Sequence, residues 1–111
     1  KQNDLFCYDG DTCYVIYEGK KDKVRLLDLD TPEISNPKCE KEYILGIEAR
    51  EYINQLISEG KRIEFETEYN RDFFGRILSY IIVDGENVSK LMVSHSLGVV
   101  YDKNNKKDWC E

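Results

Sequence analysis

Val24-Arg25-Leu26-Leu27-Asp28-Leu29-Asp30-Thr31-Pro32-Glu33 is the stretch on which the reading of the whole chain turns. It begins as an apolar β-run, and Pro32, which cannot donate to a ladder, ends it. Inside the run sits a cation, Arg25, and at its end stand two acids, Asp30 and Glu33. Upstream, Cys13-Tyr14-Val15-Ile16-Tyr17 is a second β-branched and aromatic run. It follows Asp9-Gly10-Asp11-Thr12, a strong turn signal, so a further strand precedes the turn. Gly19-Lys20-Lys21-Asp22 turns the chain between the second strand and the third. Residues 34–43, with Asn36-Pro37, read as a polar loop.

From Ile44 the period changes. Leu45, Ala49, Tyr52, Ile53, Leu56 and Ile57 recur at three- and four-residue spacing and share one helical face, and Gly60 is placed to close the helix in a left-handed cap. Arg62 to Glu68 then alternates, with Ile63, Phe65 and Thr67 on one side and charged residues on the other, as a strand with one wet face does. Ile77 to Val83 is another strand, ended by Asp84-Gly85. Asn87 caps a short helix whose apolar face is Val88, Leu91 and Met92. The order is β-β-β-α-β-β-α. Strands this short and this numerous predict an α+β fold: a five-stranded antiparallel OB-fold β-barrel with two to three packed helices, as a single domain over residues 1–111.

The chain has 111 residues, 22 Asp+Glu against 16 Lys+Arg, and a formal charge of −6. Apolar residues at 41% and charged residues at 34% suit a globular chain, and no apolar run approaches the ~18 residues of a membrane span. Acidity by itself argues against a nucleic-acid partner, because phosphate binding ordinarily shows as a basic surplus. Cys7, Cys13, Cys39 and Cys110 contain no C-x-x-C pair and do not resemble a zinc site. They allow three disulfide connectivities, a local Cys7–Cys13 cross-strand pair among them, or four reduced thiols. A chain starting at Lys1 without a signal-peptide pattern reads as a processed mature chain or a trimmed fragment, and a secreted or extracellular, monomeric protein is the expectation.

Several polar residues are not needed by the strands. Asp11 follows the turn glycine, Asp30 closes an apolar strand, and Glu33 lies three residues on. Carboxylates at two strand ends with a nearby backbone carbonyl make the hard oxygen shell that Ca²⁺ accepts. Arg25 and Arg76 are each embedded in apolar strand sequence, and two guanidiniums beside a carboxylate-bound cation suit phosphoryl transfer.

Taken together, Asp9-Gly10-Asp11-Thr12, the segment Arg25 to Glu33, and Asp72-Phe73-Phe74-Gly75-Arg76 resemble the staphylococcal nuclease (thermonuclease) family over about residues 5–100. The resemblance implies a five-stranded OB-type barrel and a Ca²⁺-dependent phosphodiesterase that cuts DNA and RNA, single-stranded or denatured. It assigns Asp11, Asp30 and the Thr31 carbonyl to the calcium. Glu33 would orient or deprotonate the attacking water, and Arg25 and Arg76 would grip the scissile phosphate. Phe74 stands where the well-known member has a tyrosine and Phe73 where it has a lysine, so a hydroxyl and a cation for a neighbouring phosphate are missing. By the same resemblance Tyr101 would supply part of a base-stacking surface. The family's long C-terminal helix is not evident, and Lys103 to Lys107 is loop-like. The competing expectation is a catalytically silent module of the same fold that binds single-stranded nucleic acid or another ligand. Trp109 is expected to anchor the terminus, His95 to pack or face solvent, and Tyr14, Tyr17, Tyr52 and Tyr80 to occupy the core edge.

Overall fold

The computed structural model describes residues 4–111. The chain runs β1 (Leu5–Asp9), β2 (Thr12–Tyr17), β3 (Lys20–Leu26), α1 (Glu40–Glu59), β4 (Ile63–Thr67), β5 (Ile77–Val83), β6 (Glu86–Asn87) and α2 (Val88–Ser94). The six strands form one sheet in the order β1-β2-β3-β5-β4, with the short β6 paired to β5. The β1–β2 hairpin pairs Cys7 with Cys13, and a bulge between Cys7 and Asp9 shifts the register so that Asp9 faces Thr12. An extra residue there bends the strand end and re-aims the turn carboxylates.

Two features depart from a five-stranded antiparallel barrel. β3 and β5 pair in parallel, with Val24, Arg25 and Leu26 opposite Ile77, Leu78 and Ser79. The return path through α1 and β4 makes β5 run in the direction of β3, as a crossover connection requires. The hydrogen-bonded order also ends at β1 and β4 rather than closing between them. At β1 the Asn54 side chain of α1 takes both backbone groups of Cys7, its Oδ1 accepting from the N–H at 2.9 Å and its Nδ2 donating to the carbonyl at 2.9 Å. A helix side chain thus covers the sheet edge that another strand would have paired.

The core lies between the sheet and α1. Leu5, Leu26, Leu29, Ala49, Ile53, Ile57, Ile81, Val88 and Met92 pack in one cluster, with both hairpin cysteines inside it. Val24 and Leu26 face this core, so the alternation of β3 turns Arg25 to the other side. On β4 the expected inner face is only partly realised. Ile63 is half-buried, whereas Phe65 is 40% exposed, because β4 ends the sheet with no neighbour beyond it. Of the four tyrosines placed at the core edge, Tyr14, Tyr52 and Tyr80 are half-buried and Tyr17 is exposed.

Three boundaries move from their expected places. β3 ends at Leu26, and Asp28 takes a left-handed φ of 59°, which releases the chain from the sheet four residues before Asp30. The helix α1 begins at Glu40 rather than near Ile44, so part of the expected 34–43 loop is helical. Its first turn is acidic, which suits the helix dipole but hides the start from an apolar-period reading. Gly60 has φ −72° and ψ 142°, an extended conformation and not a left-handed cap. A glycine is needed there for closeness: a Cβ at this position would lie 2.4 Å from Val83 Cγ1. Gly60→Ala is therefore expected to destabilise the chain by about 1–3 kcal/mol in urea unfolding. The same change on a Val83→Ala background should cost less, and equal costs in both backgrounds would contradict the steric account. Asn87 caps α2 as the sequence predicts, its Oδ1 accepting from Ser89 N–H at 2.9 Å.

Candidate active site

The 9–12 turn presents the first acids. Asp9 Oδ1 accepts from the N–H groups of Asp11 (3.2 Å) and Thr12 (3.0 Å), which locks the turn and leaves the Asp11 side chain facing the loop after β3. Gly10 lets the turn lie on that loop, since a Cβ there would meet the Thr31 side chain at 2.7 Å. Asp11 Oδ2 accepts from Thr31 N–H at 3.0 Å and lies 3.6 Å from Arg25 Nη2. Arg25 in turn donates through Nη1 to the carbonyls of Leu26 (2.9 Å) and Leu29 (2.8 Å). One guanidinium therefore holds the end of β3, the following loop and the turn acid together.

Arg76 is set by the loop before β5. Asp72 Oδ1 accepts from the N–H groups of Phe74 (3.0 Å) and Arg76 (2.8 Å), and its Oδ2 lies 2.7 Å from Arg76 Nε. Burial works to raise the Asp72 carboxyl, but the Arg76 backbone and guanidinium outweigh it and hold it below its ordinary range. The parallel register sets Arg25 beside Leu78, two residues after Arg76. Both guanidiniums line a cleft of about 420 Å³ with Leu27, Asp28, Phe74 and Tyr101. The Phe74 ring centroid is 5.2 Å from the Arg76 guanidinium carbon, and Tyr101 is 5.7 Å from that of Arg25. Phe73, at 95% exposure, meets Phe74 edge-on at 5.4 Å.

Asp30, Thr31 and Glu33 line a separate, smaller recess of about 100 Å³ with Glu42 and Lys106. Asp30 is buried and exchanges backbone hydrogen bonds with Val99. Crowding dominates the electrostatics here. Burial, then the Asp11 charge, pushes the Asp9 carboxyl up to about 7. Burial also raises Asp30, against the lowering effect of Lys106, and raises Glu33, with Asp11 adding to it. Carboxyls with raised values stabilise the fold when protonated. That contribution is fully present below the ordinary carboxylate range and is lost as pH rises through the folded-state values, about 7 for Asp9. Melting in chelator should therefore be higher near pH 5 than near pH 8. A melting temperature that climbs over that interval would contradict the crowding.

The chemistry of these donors fits a cation. Thr31 Oγ1 is buried with no hydrogen-bond partner, and the neighbouring acids are hard oxygen ligands whose charges oppose one another. Among the described residues no three His, Cys, Asp or Glu side chains are grouped so as to hold a metal ion by themselves. A cation held by Asp11, Asp30 and the Thr31 carbonyl would complete its shell with water.

The structure thus brings the sequence candidates Arg25, Arg76, Phe74 and Tyr101 into one cleft, and Asp30, Thr31 and Glu33 into the adjoining recess. Asp11 is the bridge, through its contacts to Thr31 and Arg25. Two residues escaped the sequence reading. Glu42 is buried and accepts from the N–H groups of Glu33 (3.1 Å) and Lys38 (2.8 Å), fixing the backbone that carries Glu33. Its signal was present as Cys39-x-x-Glu42, a capping-box-like spacing in which Cys39 Sγ accepts from Glu42 N–H at 3.4 Å. Lys106, 3.9 Å from Asp30, carried no local signal. All four cysteines are paired, Cys7 with Cys13 and Cys39 with Cys110. Trp109 is buried at the terminus, and His95 packs on Tyr52 with ring centroids 4.6 Å apart.

A mixed sheet with two helices carries a two-arginine cleft beside a carboxylate recess in one small α+β fold. The family model described as Staphylococcal nuclease homologue matches residues 23–110, and the chain belongs to that family. Endonuclease YncB of Bacillus subtilis (strain 168) is 42% identical over 103 residues, which covers 88% of this chain and 48% of the relative. SPbeta prophage-derived endonuclease YokF of the same organism is 39% identical over 103 residues, covering 88% and 34%. An uncharacterized endonuclease of Escherichia coli is 33% identical over 98 residues, covering 87% and 58%. The chain spans about half of the first relative's length and a third of the second's.

Proposed function

We propose that this chain is a Ca²⁺-dependent nuclease that hydrolyses phosphodiester bonds of single-stranded or denatured DNA and RNA with little sequence specificity. The observation that carries the reading is the convergence of Arg25 and Arg76 on one cleft beside the carboxylate recess. We read the open mixed sheet as this family's OB-type barrel. The two guanidiniums hold a phosphodiester and offset the charge that develops on its oxygens. Arg25 is pre-set by two carbonyls and Asp11, and Arg76 by Asp72, so neither needs to reorganise when the phosphate arrives. Glu33, held by Glu42 through its backbone, accepts a proton from the attacking water. Its raised carboxyl makes it a stronger base than an ordinary glutamate. Calcium at Asp11, Asp30 and the Thr31 carbonyl supplies Lewis-acid charge stabilisation when bound. Phe74 and Tyr101 present exposed rings to which unpaired bases stack, which supports single strands over duplex. Two disulfides support a site of action outside the reducing cytosol.

The test is cleavage of a labelled single-stranded oligonucleotide with Ca²⁺ and with chelator, for the wild type and Glu33→Gln. Cleavage should require Ca²⁺ and fall by roughly 10²- to 10⁴-fold in the variant. Binding without cleavage under every condition would favour the silent module instead. With a net charge of −6, substrate affinity should be weak and depend only shallowly on salt. A steep loss of affinity with salt would show phosphate contacts well beyond the cleft.

A further inference from the structure

The chain after α2 is tied down at two points. Asp30 and Val99 exchange backbone hydrogen bonds at 2.9 Å in both directions, and Cys110 is bonded to Cys39, the residue that caps α1. Between these ties residues 99–110 form a strap without helix or strand. The strap touches both halves of the site: Tyr101 lies against Arg25 on the cleft side, and Lys106, Lys107, Asp108 and Trp109 line the carboxylate recess. Lys106 Nζ stands 3.9 Å from Asp30 Oδ2, and its charge reaches Glu33 as well as Asp30.

A lysine on an exposed stem ordinarily leaves its ammonium in water, because holding it in one place costs rotamer entropy. The Lys106 side chain is 63% exposed, yet its ammonium stands over the recess beside Asp30. The anchored strap brings it there, together with the field of several mutually repelling carboxylates. An ammonium in that position carries the same sign of charge as a divalent cation and faces one of the same ligands.

We propose that Lys106 is a tethered counter-cation of the carboxylate recess, competing with the divalent cation for Asp30, so that the 99–110 strap sets how tightly the site takes its metal. The inference rests on the nuclease reading only in requiring that the recess bind a divalent cation. Lys106 is a positioning residue here; it neutralises the acids when the cation is absent and must yield or be repelled when the cation enters. The disulfide belongs to the same device, since freeing Cys110 frees the strap that carries the lysine.

The experiment is calorimetric titration of the intact chain with Ca²⁺ alone, in the absence of nucleic acid. Removing one positive charge at this range should tighten binding by about tenfold in Lys106→Gln. Lys106→Arg, which keeps the charge, should bind as the wild type does. Cys39→Ser/Cys110→Ser should tighten binding in the same direction, and adding Lys106→Gln to it should bring little more, because the two changes remove one constraint. If the cysteine variant does not fold, Lys106→Gln against Lys106→Arg decides alone. Equal or weaker Ca²⁺ affinity in Lys106→Gln overturns the competition while leaving the nuclease reading intact. If neither the wild type nor Lys106→Gln shows saturable Ca²⁺ binding that Asp30→Asn removes, the metal part of the nuclease reading falls, and the competition with it.

Discussion

Arg25→Ala is expected to lower kcat/KM for a single-stranded oligonucleotide by roughly 10³- to 10⁵-fold, the range seen when a guanidinium that faces transition-state charge is removed. The size of the effect follows from where Arg25 sits. Its neighbours Val24 and Leu26 are core residues, so the strand itself cannot shift to compensate, and its Nη1 is already committed to the carbonyls of Leu26 and Leu29. Removing the side chain withdraws a charge from the cleft and unties the loop that carries Asp30, Thr31 and Glu33. Arg25→Lys separates the two contributions. It keeps a charge but loses the planar fork that bridges two carbonyls and, in the proposed reaction, would also hold a phosphate, so it should recover only a small part of the rate. The loss should fall mainly on kcat, because Arg76 still offers ground-state binding. Single-turnover cleavage with saturating Ca²⁺, alongside a thermal melt of each variant, distinguishes lost chemistry from lost fold. A drop smaller than tenfold in a well-folded Arg25→Ala protein would remove Arg25 from its assigned role.

The largest stability effect is expected at the second disulfide. Cys39 and Cys110 are separated by 71 residues, and a cross-link closing a loop of that length restricts the unfolded chain by about 4 kcal/mol in the chain-entropy account. Cys7 and Cys13, only 6 residues apart, close a short hairpin worth about 2 kcal/mol on the same account. For a domain whose total stability is on the order of 5–15 kcal/mol, Cys39→Ser/Cys110→Ser should therefore remove a large fraction of it. The buried Trp109 and the Lys41 contact to the Glu111 carbonyl help hold the terminus but do not replace a covalent tie. Urea unfolding at neutral pH measures the difference. A loss below about 1 kcal/mol would mean that the unfolded chain is already compact enough for the cross-link to add little.

The site and the fold were legible to different degrees. Asp11, Arg25, Asp30, Glu33 and Arg76 could be named because they are polar residues at strand ends or in apolar strand sequence, and because the family resemblance, not the spacing alone, gave each a role. The structure sets Arg25 and Arg76 on one cleft, Asp30 and Glu33 on the adjoining recess, and Asp11 in contact with Arg25 and Thr31. Glu42 and Lys106 could not be picked out in the same way. Glu42 lay in what read as a loop, because the acidic first turn of α1 masks its apolar period. Lys106 sits in a polar tail where a lysine is unremarkable, and only the fold-back of that tail brings it to Asp30. Gly60 shows the same limit from the other side. The sequence marked Gly60 correctly as the residue that closes the helix but its conformation wrongly, since the need for glycine comes from Val83, a residue 23 positions away.

What this sequence determined by itself is local. Strand runs such as Ile77–Val83, the Asp9-Gly10 turn and the Asn87 cap all express preferences of residues within a few positions of one another. What only the tertiary structure decided depends on distant segments meeting. The parallel pairing of β3 with β5 follows the crossover through α1, the β1 edge is covered by Asn54, and Lys106 meets Asp30 through the fold-back of the 99–110 segment. No short-range pattern carries those choices, because the entropy of closing long loops is repaid only by contacts that exist once the whole core has formed.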